Sequence, residues 1–197
     1  MSTEPAPSIL SVVEPVVDIV HGQQIPDPYR WLEDPNSRQT RAWIDEQTAR
    51  TRGYMDALPN RSIVRERVTE LLDVETWDTP LQCRGRVFFL RRQRQQLQPC
   101  ICLLEDDRDP TCVVDPSDND PTGATSVHIV AASGTGRYLA YGVKRGGEDA
   151  QVVHILDVQR KQRLAEQLPR GYWCALQWSE TEEVFYYLYS AVIHLRS

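Results

Sequence analysis

No uninterrupted apolar run in this 197-residue sequence is long enough to read as a membrane span, and no secretory signal opens it. The first positively charged residue is Arg30, and the weakly apolar stretch 9–20 is broken by Glu14, Pro15 and Asp18. Cysteines are few and odd in number, five, at positions 83, 100, 102, 112 and 174, so they do not form the paired framework of a secreted disulfide scaffold. A reducing cytoplasm is the expected location. Positive charge is also short: 22 Lys and Arg against 28 Asp and Glu give a net charge of −6. Nucleic acid and acidic membrane surfaces both require a positive face, so neither is an expected partner. The local arginines Arg84, Arg86, Arg91, Arg92 and Arg94 fit a solvated strand edge instead.

What the chain does have is apolar surface, 41% of its residues and five tryptophans, enough for one or two small domains. Part of it is concentrated in Asp27-Pro28-Tyr29-Arg30-Trp31-Leu32-Glu33-Asp34-Pro35. Asp27 suits a helix cap, Pro28 a first helical position where its missing N–H costs nothing, and Pro35 a stop. Tyr29, Trp31 and Leu32 make this run an anchor, and it contains no reactive group.

Two helices are expected next. Between Asn36 and Leu58, residues Trp43, Ile44, Gln47, Thr51, Tyr54, Met55 and Leu58 recur at three- and four-residue steps, with Asn36 and Gln39 as a capping-box-like pair. Gly53 weakens this helix without ending it. After Pro59, with Asn60 as cap, a second stripe carries Ile63, Val64, Val68, Leu71 and Leu72. The pair reads as a helical hairpin with an apolar face to bury.

From Thr79 the period changes to two. Strands are expected at 80–83, 86–91, 100–104, 111–114, 127–132, 138–143, 152–157, 163–166, 174–178 and 184–189. A repeat runs through them: Gly85-Arg86-Val87-Phe88-Phe89, Gly136-Arg137-Tyr138-Leu139-Ala140-Tyr141 and Glu182-Glu183-Val184-Phe185-Tyr186-Tyr187 are offset by 51 and then 46 residues. The last two follow Ser-x-Thr turns, Ser133–Thr135 and Ser179–Thr181, in which serine can bond the backbone two residues on. A period of about 40–50 residues with four short strands per unit marks a β-propeller blade. Closed propellers take about four to eight blades, more than the two and a half counted here.

His21-Gly22, the Asp27–Pro35 run, Arg41-Ala42-Trp43-Ile44-Asp45-Glu46-Gln47, Tyr54-Met55-Asp56-Ala57-Leu58-Pro59 and Ser133-Gly134-Thr135-Gly136-Arg137-Tyr138-Leu139-Ala140-Tyr141-Gly142 together resemble the amino-terminal part of the prolyl oligopeptidase family. The resemblance covers roughly residues 12–189. It implies a serine peptidase in which a β-propeller covers an α/β-hydrolase catalytic domain, admits short peptides, excludes folded proteins and cleaves after proline.

The fold class expected is α+β, mainly β: an N-terminal helical hairpin followed by an incomplete β-propeller of about two and a half four-stranded antiparallel blades. The expected divisions are an anchor and helical segment over 1–75, a partial propeller over 76–190 and an atypical tail over 191–197. The tail, Ala191-Val192-Ile193-His194-Leu195-Arg196-Ser197, has no turn residue and is read as the product of a shifted frame or altered exon end, outside the native blade.

No catalytic residue is assigned. The nucleophile elbow Gly-x-Ser-x-Gly is absent, since no serine here has glycine at both flanking second positions. No cofactor and no metal site is assigned either. Cys100 and Cys102 share a strand face and suit zinc together with His128 or His154, but the usual two-residue spacer is missing, and they are read as core residues. His21 is read as a hydrogen-bonded structural histidine. Asp106-Asp107 and Glu182-Glu183 are read as solvated turn pairs, and Gly146-Gly147 and Gly134-Thr135-Gly136 as hairpin turns, because neither glycine pair opens a helix as a phosphate loop does. The function expected is the non-catalytic N-terminal portion of a prolyl oligopeptidase-like endopeptidase, its partners the missing α/β-hydrolase domain and short peptides. The alternative is a stand-alone peptide- or protein-binding module built on a truncated propeller.

Overall fold

A computed structural model describes residues 11–106, 108–166 and 168–191. It divides into two compact units, Met1–Glu70 and Leu71–Ser197.

The first unit opens with a hairpin that the apolar pattern did not reveal. Strands β1 (Val17–Val20) and β2 (Gln23–Pro26) pair antiparallel, with Val20 opposite Gln23. The two residues between them, His21 and Gly22, have φ of 51° and 79°. Both lie in the left-handed region, as a two-residue turn of the type matched to strand twist requires. His21 is therefore a turn residue with an exposed ring, which corrects its reading as a hydrogen-bonded structural histidine.

The anchor run folds into a single 3-10 turn, Arg30–Glu33, capped at Tyr29 without a side-chain bond. Asp27 does not cap it. Its carboxylate instead accepts from Arg30 Nε at 2.8 Å, while the other face of the same guanidinium bonds Asp18 on β1. A charged fork able to tie two carboxylates competes successfully with a cap that satisfies one N–H. Trp31 stacks edge-on against Trp43 with centroids 6.1 Å apart, and its indole N–H donates to the Val12 carbonyl at 2.8 Å.

Helix α1 spans Arg38–Asp56. Ser37, and not the expected Asn36, is its cap: its Oγ accepts the Thr40 N–H, and Thr40 Oγ1 in turn donates to the Trp31 carbonyl at 2.7 Å. Asn36 is occupied one turn earlier, donating its N–H to Asp34 Oδ1. Helix α2 spans Arg61–Leu72 and starts after Asn60, where the sequence placed its cap. The apolar stripes form as expected but stay open: Thr40 is the buried residue of α1, α2 buries none, and Ile63, Val64, Val68, Leu71 and Leu72 are all exposed.

The second unit is a series of antiparallel meanders. Blade 1 consists of β3 (Thr76–Cys83), β4 (Arg86–Arg92), β5 (Cys100–Glu105) and β6 (Thr111–Val114), in that spatial order. Blade 2 consists of β7 (Thr125–Ala132), β8 (Tyr138–Arg145), β9 (Val152–Asp157) and β10 (Gln162–Arg163), again in sequence order. A further hairpin pairs β11 (Gly171–Trp178) with β12 (Phe185–Ala191). The expected incomplete propeller is therefore observed.

Most strand limits shift by one to a few residues from the sequence reading, and three of the shifts have a visible cause. β3 begins at Thr76, before Pro80, because the chain bulges between Asp78 and Leu81: Thr79 takes φ 48° and Pro80 has no N–H to give the ladder. The strand expected at 163–166 is the two-residue edge β10, extended only by Leu164 donating its N–H to the Ile155 carbonyl. Ala191, placed in the tail by the sequence, is the last residue of β12 and pairs with Gly171. The remainder of that tail lies outside the described residues, as does Asp107.

Blade 2 is buried on both faces. Leu139 and Tyr141 pack with Phe88, Ile101 and Leu103 of blade 1 and with Val127, whereas Ala140 packs with Val153, Ile155, Leu176 and Trp178 toward the third hairpin. Stacked sheets of this kind explain why Leu139, Ala140, Tyr141 and Gly142 are all buried despite the two-residue period.

Candidate functional site

The residues that distinguish this unit from generic meanders lie at the turns joining the first two strands of blade 2 and the two strands of the third hairpin. Ser133 and Ser179 build the same turn twice. Ser133 donates its backbone N–H to the Tyr138 carbonyl and accepts the Tyr138 N–H on its hydroxyl; Ser179 does the same with Val184. Gly136, at φ 70°, donates back to the Ser133 carbonyl at 2.8 Å. The hairpin reading of this glycine turn holds, and the serine turn is a device for closing a strand connection of five or six residues.

These turns stitch one repeat to the next. Arg86, at the start of β4, donates from Nη1 to the Gly136 carbonyl at 3.0 Å and pairs with Glu105 at 2.6 Å. Glu182, expected to be a solvated turn acid, binds the preceding turn: its carboxylate accepts the Thr135 N–H at 2.5 Å and the Thr135 hydroxyl at 2.7 Å. Burial pushes its pKa up, but the Thr135 donors, the Ser133 hydroxyl and Arg137 outweigh this and hold it below the usual range. In blade 2 the equivalent arginine, Arg137, reaches Asp157 at 3.4 Å. Asp157 is almost fully buried and accepts the Arg160 backbone N–H at 2.9 Å.

The residues weighed for chemistry fall apart in space. Cys100 and Cys102 are buried in blade 1, whereas His128 and His154 belong to β7 and β9 of blade 2. His128 lies against Gly142 and Gln151, and burial lowers its pKa, with Lys144 adding to the effect. His154 packs on Tyr141 with ring centroids 5.5 Å apart. It lines a cavity of about 380 Å³ with Asp115, Asp120, Arg145 and Arg163. Among the described residues no group of three His, Cys, Asp or Glu side chains is arranged to hold a metal. The Gly146–Gly147 pair, φ 59° and 79°, makes the turn that follows β8.

Two features escaped sequence reasoning. Glu182 was discounted because it lies in a turn, although its place just after Ser-x-Thr, one repeat on from Thr135, was the available signal. Cys112 joins Cys100 and Cys102 only through the β5–β6 register, which the loop between the strands does not reveal.

The family of the prolyl oligopeptidase N-terminal β-propeller domain matches residues 10–193. A prolyl endopeptidase of Elizabethkingia meningoseptica is 27% identical over 172 residues, 87% of this chain and 24% of that protein. Prolyl oligopeptidase A of Amanita bisporigera is 24% identical, over 83% of this chain and 24% of its own length. Among solved structures, one from a study of two prolyl endopeptidases superposes with a TM-score of 0.78 at 27% identity, covering 91% of this chain and 27% of that one. Prolyl oligopeptidase B of Galerina marginata shares the fold at a TM-score of 0.67 and 17% identity. The chain thus spans about a quarter of the length of the relatives it matches. A family match over nearly the whole chain agrees with the serine turns and the stacked meanders, and the chain belongs to the prolyl oligopeptidase N-terminal β-propeller family.

Proposed function

We propose that this chain is the access-limiting, non-catalytic portion of a prolyl oligopeptidase-like serine endopeptidase that hydrolyses short peptides after proline. The observation that carries this reading is a series of propeller blades, matched by the family over residues 10–193, in a sequence with no Gly-x-Ser-x-Gly. Hydrolysis needs a nucleophile within reach of an oriented base. Among the described residues no serine or cysteine is hydrogen-bonded to a histidine. The nucleophile, base and orienting acid come, on this reading, from an α/β-hydrolase domain that packs with the chain, and no residue here is assigned to catalysis. The blades form part of the wall that keeps folded proteins from that site. The reading includes a division near residue 75 between anchor and propeller and a cytoplasmic setting, the latter supported by five free cysteines.

The test is complementation. The Elizabethkingia meningoseptica prolyl endopeptidase lacking the quarter that this chain matches is coexpressed with the chain, and cleavage of a chromogenic proline peptide is measured. The chain alone is expected to cleave at buffer background, and the two parts together to cleave well above the truncated enzyme alone. Activity in the isolated chain that survives removal of host peptidases refutes the reading.

A further inference from the structure

Strand register brings three thiols together on one face of blade 1. Cys100 and Cys102 are alternate residues of β5, both buried, with sulfurs 3.7 Å apart. Cys112 on β6 is the residue directly opposite Cys102 and, unlike them, is exposed. Directly opposed residues of antiparallel strands stand about 4.5–5.5 Å apart at Cα. That lies inside the range of about 4.4–6.8 Å that a disulfide spans. Cys100 and Cys102, two residues apart on one extended strand, are at the far limit of that range, at about 6.8 Å.

We propose that Cys102 and Cys112 form a peroxide-oxidisable dithiol, a modification site in which exposed Cys112 reacts first and Cys102 closes the disulfide. The Cys112 S–H faces Cys100, and that donor above all holds the Cys100 thiol down to about 6, with Cys102 adding to the effect. The same contact, reinforced by burial, pushes Cys112 up.

In the first step the Cys112 sulfur attacks one oxygen of hydrogen peroxide as its proton passes to the departing oxygen. The O–O bond breaks, and the departing hydroxide leaves as water with the Cys112 proton. Cys112 becomes a sulfenic acid. Burial first, and then the Cys100 charge, push Cys102 up to about 12, so it remains protonated during this step. In the second step the Cys102 sulfur attacks the Cys112 sulfur, the S–O bond breaks, and water leaves with the Cys102 proton. Two thiols are oxidised to one disulfide and one peroxide is reduced to two waters. Asp115 and Arg91 are the charged groups that face the cluster.

The experiment treats the full chain with hydrogen peroxide, alkylates free thiols, digests with trypsin and maps the peptides by mass. The expected product joins peptide 95–108 to peptide 109–137, with Cys100, Cys83 and Cys174 still alkylated. In C112S no joined peptide forms and Cys102 remains alkylatable. In C102S, Cys112 accumulates as a sulfenic acid that dimedone traps. In C100S the same bridge forms, because Cys102 and Cys112 suffice for it. In urea the bridge gives way to mixed pairings, because proximity in the fold produces it. The inference is overturned if Cys83 or Cys174 is consumed while Cys112 remains alkylatable, if the bridge involves Cys100, or if the yield in urea equals that of the folded chain.

Discussion

Gly142 offers the sharpest test of how blade 2 is packed. It lies mid-strand on β8, opposite His128 on β7 and Val153 on β9, and is buried. Its φ is not in the left-handed region, so nothing about the backbone demands glycine. Space does: a Cβ there would overlap the Gln151 Oε1 atom and the His128 ring. Gln151 is buried and His128 is hemmed in between strands, so neither swings away freely. Overpacking of this kind costs about 1–3 kcal/mol, through side chains forced off their rotamers and small backbone shifts. For a chain of this size each kcal/mol lowers the melting temperature by about 2–4 °C. The assay is urea unfolding of G142A against the parent, followed by tryptophan fluorescence. The midpoint is expected to fall with little change in slope, and His128→Ala in the G142A background is expected to recover part of the loss by making room. A G142A midpoint equal to the parent's, or a double variant weaker than the two single effects combined, would refute the packing argument.

The same substitution has the opposite sign at Gly53, inside α1, where nothing lies within 4 Å of the added carbon. G53A is expected to stabilise the first unit by about 0.5–1 kcal/mol, read as increased helix signal and a higher midpoint in circular dichroism. Asp157 sets an acid limit. The Arg160 backbone N–H, followed by the charges of Arg137 and Arg160, holds its carboxyl below the ordinary 3.8 against the effect of burial. Its contribution is therefore complete above that value and drains away as the pH falls through the lower folded pKa. D157N is expected to be less stable than the parent at pH 7, with the gap closing in acid, as measured by urea midpoints across the pH range; a gap that is constant with pH would refute this assignment.

How much was legible in the sequence depended on whether a local pattern or a distant neighbour decided the outcome. Helices α1 and α2 were legible because three- and four-residue spacing and a following proline are local signals. The β1–β2 hairpin was not, because Val17–Val20 and Gln23–Pro26 lack alternation and the signal resided in His21 and Gly22 alone. Ser37 displaced Asn36 as cap because Thr40, one turn on, had to reach the Trp31 carbonyl. Among the site residues, the pairing of Cys100 with Cys102 was readable from strand alternation, whereas the third thiol was not.

The sequence by itself determined the order of elements, the serine turns, the blade period and the absence of a nucleophile elbow, because each of these is written within a few consecutive residues. Only the tertiary structure decided that Glu182 serves the previous repeat, that Asp157 is buried between arginines, and that Cys112 stands opposite Cys102. These depend on which strands stack and in what register, and register is fixed by the hydrophobic pattern of whole strands and the turns that join them, not by the one pair of residues it brings together.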